Sequence, residues 1–403
     1  MEQAFHEHPL YTREGRQHPF SIYTKLRSDE PLTKLVEPMR RLPLWLFTRY
    51  DDCVAILKDP RFGKDNTKLS EAERERSGYR DELAMLGRHL LGVDPPDHTR
   101  LRALVAKAFT PARIDGLRPR IKEIAEELVD RVEKQGHMEV VDDYAYDLPV
   151  TVIAELLGVP PEDHNRFRSW TRTLMTPPPD GNMDGIKAAG FEFFQYLMGL
   201  VESRRVTPTD DLIGALVLAE EDGTKLDTQE LISMLFLLLV AGHETTVNLI
   251  SNGTLALLDN PAELEKLRQD PTLLDSAIEE MLRYCGPVET STMRFALEDM
   301  AYYGQEIKRG DLVIVSLLSA GHDPERFPDG DRFDISRKPN RHIAFGYGIH
   351  FCLGAPLARL EATIAFEVLL RRLPNLKLAV PRESLEFRNS ILIHAVNSLP
   401  VTF

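Results

Sequence analysis

One cysteine of this chain lies where its sulfur could be prepared to bind a metal. The run FGYGIHFCLG spans residues 345–354 and contains Cys352. Its glycines permit backbone conformations closed to other residues and let amide groups approach a sulfur closely. Pro356 and good helix formers follow, so Cys352 is predicted to lie at a helix N-terminus, where the helix dipole favours a thiolate. A buried structural cysteine in a tight turn is the alternative.

A polar cluster interrupts the most apolar stretch of the chain. Residues 231–248 read LISMLFLLLVAGHETTVN, which predicts a helix buried on all sides. Glu244 and Thr245 are unfavourable inside such a helix unless they serve a purpose. The HE pair also begins like a zinc-protease HExxH motif, but Val247 replaces the second histidine. The apolar part is expected to be too short to cross a membrane, which needs about twenty residues.

A third group of charged residues follows at helical spacing. Glu280 and Arg283 are three residues apart in a helix predicted over residues 271–284, so their side chains share one face. Taken alone, this spacing indicates only an ordinary surface ion pair of little energetic weight. The pair supports a functional interpretation only in combination with the other motifs of the chain.

The fourth group begins after two prolines, Pro95 and Pro96, which stop the preceding segment. Asp97 is expected to cap the next helix, which is predicted to continue to about residue 109. His98 and Arg102 are four residues apart and therefore share a face. Arg100 points off that face and is expected to be solvated.

Together these groups resemble the cytochrome P450 family over essentially the whole chain. Residues 345–354 resemble its haem-binding signature Phe-x-x-Gly-x-x-x-Cys-x-Gly at every fixed position, and AGHETT resembles its distal Ala-Gly-x-Asp/Glu-Thr motif. The resemblance implies haem b (iron protoporphyrin IX), with Cys352 as the iron ligand. The implied haem contacts are His98, Arg102, Arg294, Phe345, His350, Cys352 and Gly354.

The resemblance also assigns catalytic and structural roles. It implies that Glu244 and Thr245 supply protons during oxygen activation, while Ala241 and Gly242 make room for dioxygen. It implies that Glu280 and Arg283 join Arg332 to brace the cysteine loop. The expected substrate pocket, for which core packing is the alternative, consists of Leu86, Leu90, Leu237, Val240, Val288, Glu289, Ile391 and Leu392. The acid at position 289 would orient a polar or cationic substrate group, or simply be exposed.

Composition and pattern indicate a mainly α protein with small β-sheets. Strands are predicted near residues 42–48, 295–314 and 385–401, and no linker or repeat divides the 403 residues. We therefore expect one domain over residues 1–403, with the triangular cytochrome P450 fold that the resemblance implies. The net charge of −14 argues against a nucleic-acid partner.

The resemblance implies a monooxygenase that inserts one atom of O2 into a bulky apolar molecule of the polyketide, macrolide, steroid or terpenoid type. Too little chain follows Cys352 to hold a reductase, so we expect electrons from a ferredoxin or flavodoxin with its NAD(P)H-dependent reductase. A peroxide-driven fatty-acid hydroxylase and a non-catalytic haem-thiolate sensor are the alternatives. Three scattered cysteines and the absence of an N-terminal signal or anchor predict a cytoplasmic protein, monomeric and free of the membrane.

Overall fold

A computed structural model describes residues 8–37, 42–77, 87–175, 184–219 and 223–403. Helices dominate these ranges, with short 3-10 turns and one π-helical turn, Val140–Ala145, between them. The helices are α1 Arg13–Gln17, α2 Pro19–Asp29, α3 Tyr50–Lys58, α4 Glu71–Ser77, α5 Asp97–Ala108, α6 Pro111–Gly116, α7 Arg118–Val132, α8 Asp147–Leu157, α9 His164–Met175, α10 Asp184–Val206, α11 Leu212–Leu218, α12 Thr228–Asp259, α13 Pro261–Gln269, α14 Leu274–Cys285, α15 Leu317–Gly321 and α16 Ala355–Arg372.

The strands of the described ranges form three small sheets. They are β1 Leu32–Glu37, β2 Leu42–Phe47, β3 Phe62–Gly63, β4 His137–Glu139, β5 Arg294–Ala296, β6 Met300–Tyr302, β7 Gln305–Ile307, β8 Leu312–Val315, β9 Lys377–Leu378 and β10 Pro400–Thr402. One sheet has the order β1-β2-β8-β5-β3, the second has the order β4-β10-β9, and β6 and β7 form a hairpin. In the first sheet β2 and β8 run parallel, and the paired segments 44–47 and 312–315 are buried on both faces.

Helix α12 is the longest element and passes through the main core. Its first turn is fixed by a capping box, in which Asp227 accepts from the Glu230 amide and Glu230 accepts from the Asp227 amide. The prediction that this stretch is too short for a membrane was wrong, because the helix has 32 residues and is apolar enough to span one. However, 56% of its most apolar window is buried inside the protein, as expected of a core helix.

Close packing joins α12 to the helices that carry the other motifs. A Cβ atom at Gly253 would lie 2.7 Å from Met281 Sδ on α14 and 2.8 Å from Phe366 Cζ on α16. Glycine is therefore the residue that lets these three helices approach each other. Because α16 begins three residues after Cys352, this contact fixes the cysteine loop relative to α12.

The predicted strand at 42–48 is confirmed by β2, and the predicted region 295–314 coincides with β5 to β8, which extend one residue beyond it at each end. The region 385–401 contains mostly isolated bridges, with Phe387 opposite Val396, before β10. The prediction that Asp97 caps α5 was wrong, because Pro96 occupies the cap position and Asp97 is the first helical residue.

Candidate active site

The cysteine loop turns on two glycines with left-handed backbones. Gly346 and Gly348 both have φ of 74°, a conformation that residues with a Cβ rarely adopt. The turn brings the Cys352 amide within 2.9 Å of the Phe345 carbonyl, to which it donates. Gly354 has an ordinary φ of −80°, and a Cβ there would lie 3.9 Å from Cys352 Sγ. Cys352 is half-buried immediately before α16.

The environment of the sulfur is set by two opposing influences. Burial raises the pKa of the Cys352 thiol, while hydrogen bonds from the Gly354 and Ala355 amides and the charges of Arg102 and Arg359 act in the opposite direction. In the protein alone, desolvation therefore outweighs the helix N-terminus. A metal cation bonded to the sulfur would reverse that balance, because a coordinated thiol is deprotonated.

Two arginines hold the outer side of the loop. Arg102 Nη1 donates to the Phe351 carbonyl at 2.8 Å, which joins α5 to the cysteine segment. The Arg359 guanidinium lies 4.6 Å from the centre of the Phe345 ring and forms a cation–π contact. Phe345 is half-buried beside the loop. The Phe351 side chain is exposed and therefore does not shield the Cys352 sulfur from water.

Three basic side chains converge behind the loop from separate elements. His98 comes from α5, Arg294 from β5 and His350 from the loop itself, and the two imidazole rings are 4.4 Å apart. Burial lowers the pKa of His350 to about 3, with repulsion from Arg294 contributing, and burial lowers the pKa of Arg294 to about 10. One buried nitrogen on each side chain has no hydrogen-bond partner among the described residues.

Such unpartnered buried donors are costly unless a further group satisfies them. The positive charge of Arg294 and the capacity of both imidazoles to donate an N–H indicate that this group carries negative charge, as the two propionates of a haem do. The site thus fits the group that the sequence implies. Lys64, which the sequence analysis missed, lies in the same cluster: its ammonium donates to the Met293 carbonyl at 2.8 Å, and burial lowers its pKa well below the usual value. No sequence spacing linked Lys64 to the motif residues.

Helix α12 presents an accessible strip in the middle of its buried length. Ala241 is exposed, and Glu244 and Thr245 are partly so. The Thr245 hydroxyl donates to the Ala241 carbonyl at 2.9 Å, which orients the hydroxyl, and back-bonding of this kind tends to bend a helix. Glu244 forms an ion pair with Arg388 of the C-terminal segment, a partner that no motif had indicated.

The neighbouring residues of α12 face other helices. A Cβ at Gly242 would lie 3.7 Å from Ile153 Cδ1 of α8. The space that the missing side chain leaves, which was predicted to admit dioxygen, therefore lies between α12 and α8. His243 is fully buried and its Nδ1 lies 2.9 Å from the Leu239 carbonyl. On α16, burial raises the pKa of Glu361 to about 8, although a hydrogen bond from Thr246 acts to lower it.

The brace of the cysteine loop differs from the predicted one. The Glu280 and Arg283 carboxylate and guanidinium are buried and paired at 2.7 Å. The third charged member is Arg337, whose Nε lies 3.2 Å from Glu280 Oε1, so the choice of Arg332 was wrong. The Arg332 side chain is exposed, and only its backbone carbonyl takes part, accepting from Arg283 and Arg337 at 3.0 Å. Asn340 completes the shell of Glu280 at 3.1 Å.

The predicted pocket residues are distributed over several environments. Leu237, Val240 and Val288 are half-buried, whereas Leu90 is buried in the main core. Leu392 is 42% exposed, and the adjacent Ile391 belongs to the core around α2 and β2. Leu86 lies outside the described residues.

Two charged residues have partners that the sequence analysis did not foresee. Glu289 is fully buried and forms an ion pair with buried Arg16 of α1, while the Tyr23 hydroxyl donates to it at 2.6 Å. It is therefore neither exposed nor available to a substrate, because its lone pairs are used within the protein. Arg100, expected to be solvated, forms an ion pair with buried Glu230 at the start of α12.

Known proteins share this architecture. The sequence model described as Cytochrome P450 matches residues 167–394. The polyketide biosynthesis cytochrome P450 PksS of Bacillus subtilis (strain 168) is 45% identical, with 99% of this chain and 98% of PksS covered. Its solved structure has a TM-score of 0.91, with 98% of this chain and 99% of that chain covered.

Two other proteins agree with this comparison. The vitamin D(3) 25-hydroxylase of Pseudonocardia autotrophica is 42% identical, with 98% of this chain and 96% of that protein covered. The solved structure of myxobacterial cytochrome P450 CYP267B1 in complex with myristic acid is 49% identical, with 98% of each chain covered and a TM-score of 0.91. These likenesses confirm the predicted fold. The chain therefore belongs to the cytochrome P450 family of haem-thiolate monooxygenases.

Proposed function

We propose that this protein binds haem b through Cys352 and hydroxylates a bulky apolar small molecule. The observation that carries the proposal is the set of unpartnered buried nitrogens on His98, Arg294 and His350, beside a cysteine at the start of α16. A group with two carboxylates would satisfy those nitrogens, and the sulfur would bind its iron. We place all of this in one domain over residues 1–403.

The haem, when bound, supplies the reductive activation of O2. The protein orients the substrate, excludes water and delivers protons. The Cys352 sulfur would donate electron density to the iron, and the Gly354 and Ala355 amides would moderate that donation. His98, Arg294 and His350 would hold the propionates, while Arg102 keeps α5 against the loop. The Glu280 network would hold the loop in register from behind.

Hydroxylation with O2 consumes two electrons and two protons, because one oxygen atom enters the substrate and the other leaves as water. We assign the protons to Glu244 and Thr245, the titratable carboxyl and the hydroxyl on the accessible strip of α12. Because Thr245 donates its hydroxyl hydrogen to the Ala241 carbonyl, its oxygen is free to accept a hydrogen bond, and passing a proton on requires the hydroxyl to turn away from that carbonyl.

The substrate would lie against Leu237, Val240 and Ala241 of α12, opposite Val288 and the segment that carries Leu392. This wall is apolar, and the acid at 289 has been removed from it by Arg16. An apolar wall favours a bulky apolar substrate. The relatives include a cytochrome P450 of polyketide biosynthesis and a vitamin D(3) 25-hydroxylase, which supports the same class of substrate for this protein.

The test is a spectrum and a titration of the purified protein. Reduction under carbon monoxide should give the thiolate-specific absorption band, and Cys352→His should abolish it. An unchanged band in that variant would mean that another group holds the iron. Titration with vitamin D3, myristic acid and a macrocyclic lactone, each followed by product analysis, should rank the substrate classes.

A peroxide-driven fatty-acid hydroxylase is the second candidate, because the myristic acid complex of CYP267B1 shows that a similar fold accommodates a fatty acid. The carboxyl–hydroxyl pair Glu244–Thr245 favours O2 and an external electron supply instead. Turnover of myristic acid with hydrogen peroxide, compared with ferredoxin, reductase and NADPH, separates the two. We propose a ferredoxin or flavodoxin as the electron donor, a cytoplasmic location and a monomeric state.

A further inference from the structure

The acid of the α12 strip is tied to the far end of the chain. The Glu244 carboxylate forms an ion pair with Arg388 Nη1, and the two side chains are 16% and 38% exposed. Glu244 immediately precedes Thr245, whose hydroxyl donates to the Ala241 carbonyl. An arginine outside every motif therefore contacts the one charged group of this strip.

The backbone of Arg388 is itself held on both sides. Its amide donates to the Ala395 carbonyl at 2.8 Å, and its carbonyl accepts from Arg16 Nε at 3.3 Å. The terminal nitrogens of Arg16 are paired with Glu289, whose own amide donates to the Leu392 carbonyl at 2.9 Å. Arg388 is thus fixed to a buried network before its side chain reaches Glu244.

This anchoring matters because a glutamate side chain on a helix has several rotamers, and proton transfer requires hydrogen-bond reach. A guanidinium attached to a fixed backbone selects one orientation of the carboxylate and keeps the carboxylate available in that orientation. We propose that Arg388 is a positioning residue that holds Glu244 for proton delivery to the active site. The proposal rests on the proton role assigned above to Glu244 and Thr245.

The chain contains a closely matched ion pair that lacks this geometry. Arg382 Nε lies 2.9 Å from Asp259 Oδ2, and the two side chains are 39% and 34% exposed. This pair joins the same C-terminal segment to the same helix, but at the last residue of α12, far from Thr245 in sequence. A merely structural role for such pairs predicts the same consequence at both positions.

The experiment compares Arg388→Gln with Arg382→Gln in the haem-loaded enzyme. Each variant is supplied with ferredoxin, reductase and NADPH, and with whichever of vitamin D3, myristic acid and the macrocyclic lactone gives most product. We expect Arg388→Gln to lower product formed per NADPH several-fold, to raise hydrogen peroxide release and to increase the solvent isotope effect. Arg388→Lys should restore most of the coupling, and Arg382→Gln should match the parent protein.

The double variant Glu244→Gln, Arg388→Gln should be no worse than Glu244→Gln alone, because Arg388 acts only through Glu244. Coupling in Arg388→Gln equal to that of Arg382→Gln would overturn the proposal, as would additive losses in the double variant. Thr245→Ala separates the proton role of α12 from the positioning role of Arg388. If Thr245→Ala uncouples the enzyme and Arg388→Gln does not, the proton role stands and the positioning role falls. If Thr245→Ala leaves coupling intact, both fall.

Discussion

The imidazole rings of His98 and His350 meet edge to face with their centroids 4.4 Å apart, which joins helix α5 to the cysteine loop. Burial lowers the pKa of both side chains, and each keeps a buried nitrogen without a partner in the described structure. Two neutral imidazoles gain little from each other. Each imidazole can instead donate an N–H to an acidic group that binds beside them.

His98→Phe should therefore weaken haem retention while leaving the fold intact. The lost hydrogen bond to a charged group is worth about 1.5–3 kcal/mol, which corresponds to roughly tenfold to hundredfold faster haem loss. The rate of haem transfer to a scavenging apoprotein measures this. His137→Phe, at an exposed position of β4, is the control and should release haem at the parental rate. Equal rates for both variants would remove His98 from the haem site.

Thr245→Ala should uncouple NADPH consumption from product formation several-fold, with hydrogen peroxide as the by-product. The reason is the loss of the hydroxyl to which we assign proton delivery from the strip of α12. Thr254→Ala is the matched control, because the Thr254 hydroxyl makes the same bond to the carbonyl four residues earlier, at 2.8 Å to Ile250. Both variants relieve the same helix distortion, so a difference in peroxide yield between them isolates the chemistry. A sensor that never turns over would show no difference.

Glu280→Gln should destabilise the protein by about 3–5 kcal/mol, because it leaves the buried charges of Arg283 and Arg337 without their carboxylate. Denaturant unfolding followed by haem absorbance and by circular dichroism measures the loss. Arg332→Ala should change stability by less than about 0.5 kcal/mol, since that residue contributes only its backbone carbonyl. A comparable loss of unfolding free energy in the two variants would show that the Arg332 side chain takes part in the brace after all.

The stability of the protein should fall as pH is lowered from 6.5, and His394 should be one cause. Burial lowers the pKa of His394 to about 3 in the folded state, whereas the unfolded value is near 6.5. Between these values the unfolded chain binds a proton that the folded chain does not, so stability decreases with decreasing pH. The slope is about 1.4 kcal/mol per pH unit for one proton.

His394→Asn should flatten this dependence between pH 6.5 and pH 5, as measured by the free energy of unfolding. Glu361 has the opposite sign: its pKa is raised to about 8 by burial, so its contribution is lost as pH rises from 4.5 to 8. Glu361→Gln should therefore steepen the acid-side loss. A pH slope that is identical in all three proteins would exclude both groups as its source.

The sequence predicted best those groups whose relation is local. Cys352 and its glycines, and the pair Glu280–Arg283, lie within one loop or one helix turn, so spacing alone encodes their relation. The third brace residue depends on how the chain returns after α15, and spacing could not distinguish Arg332 from Arg337. Glu289 was predicted to lie in the substrate pocket because its true partner, Arg16, is too distant in sequence for any spacing to reveal.

Elements were missed for related reasons. The helix predicted over residues 231–248 extends to Asp259, because the hydroxyls of Ser251 and Thr254 bond carbonyls one turn earlier and so tolerate burial. Strands of two or three residues, such as β3 and β9, are too short to show any alternation. They exist because a partner strand pairs with them, which is a property of the tertiary structure.

The buried ion pair of Arg16 spans 273 positions to Glu289, and its bond to the Arg388 carbonyl spans 372. A ribosome must therefore synthesise almost the entire polypeptide before one of its earliest side chains finds its companions. Until then a guanidinium destined for burial remains in water. Deletion of residues 1–17 would remove Arg16 and leave the buried Glu289 carboxylate without its ion-pair partner, so the shortened protein should fold late or not at all.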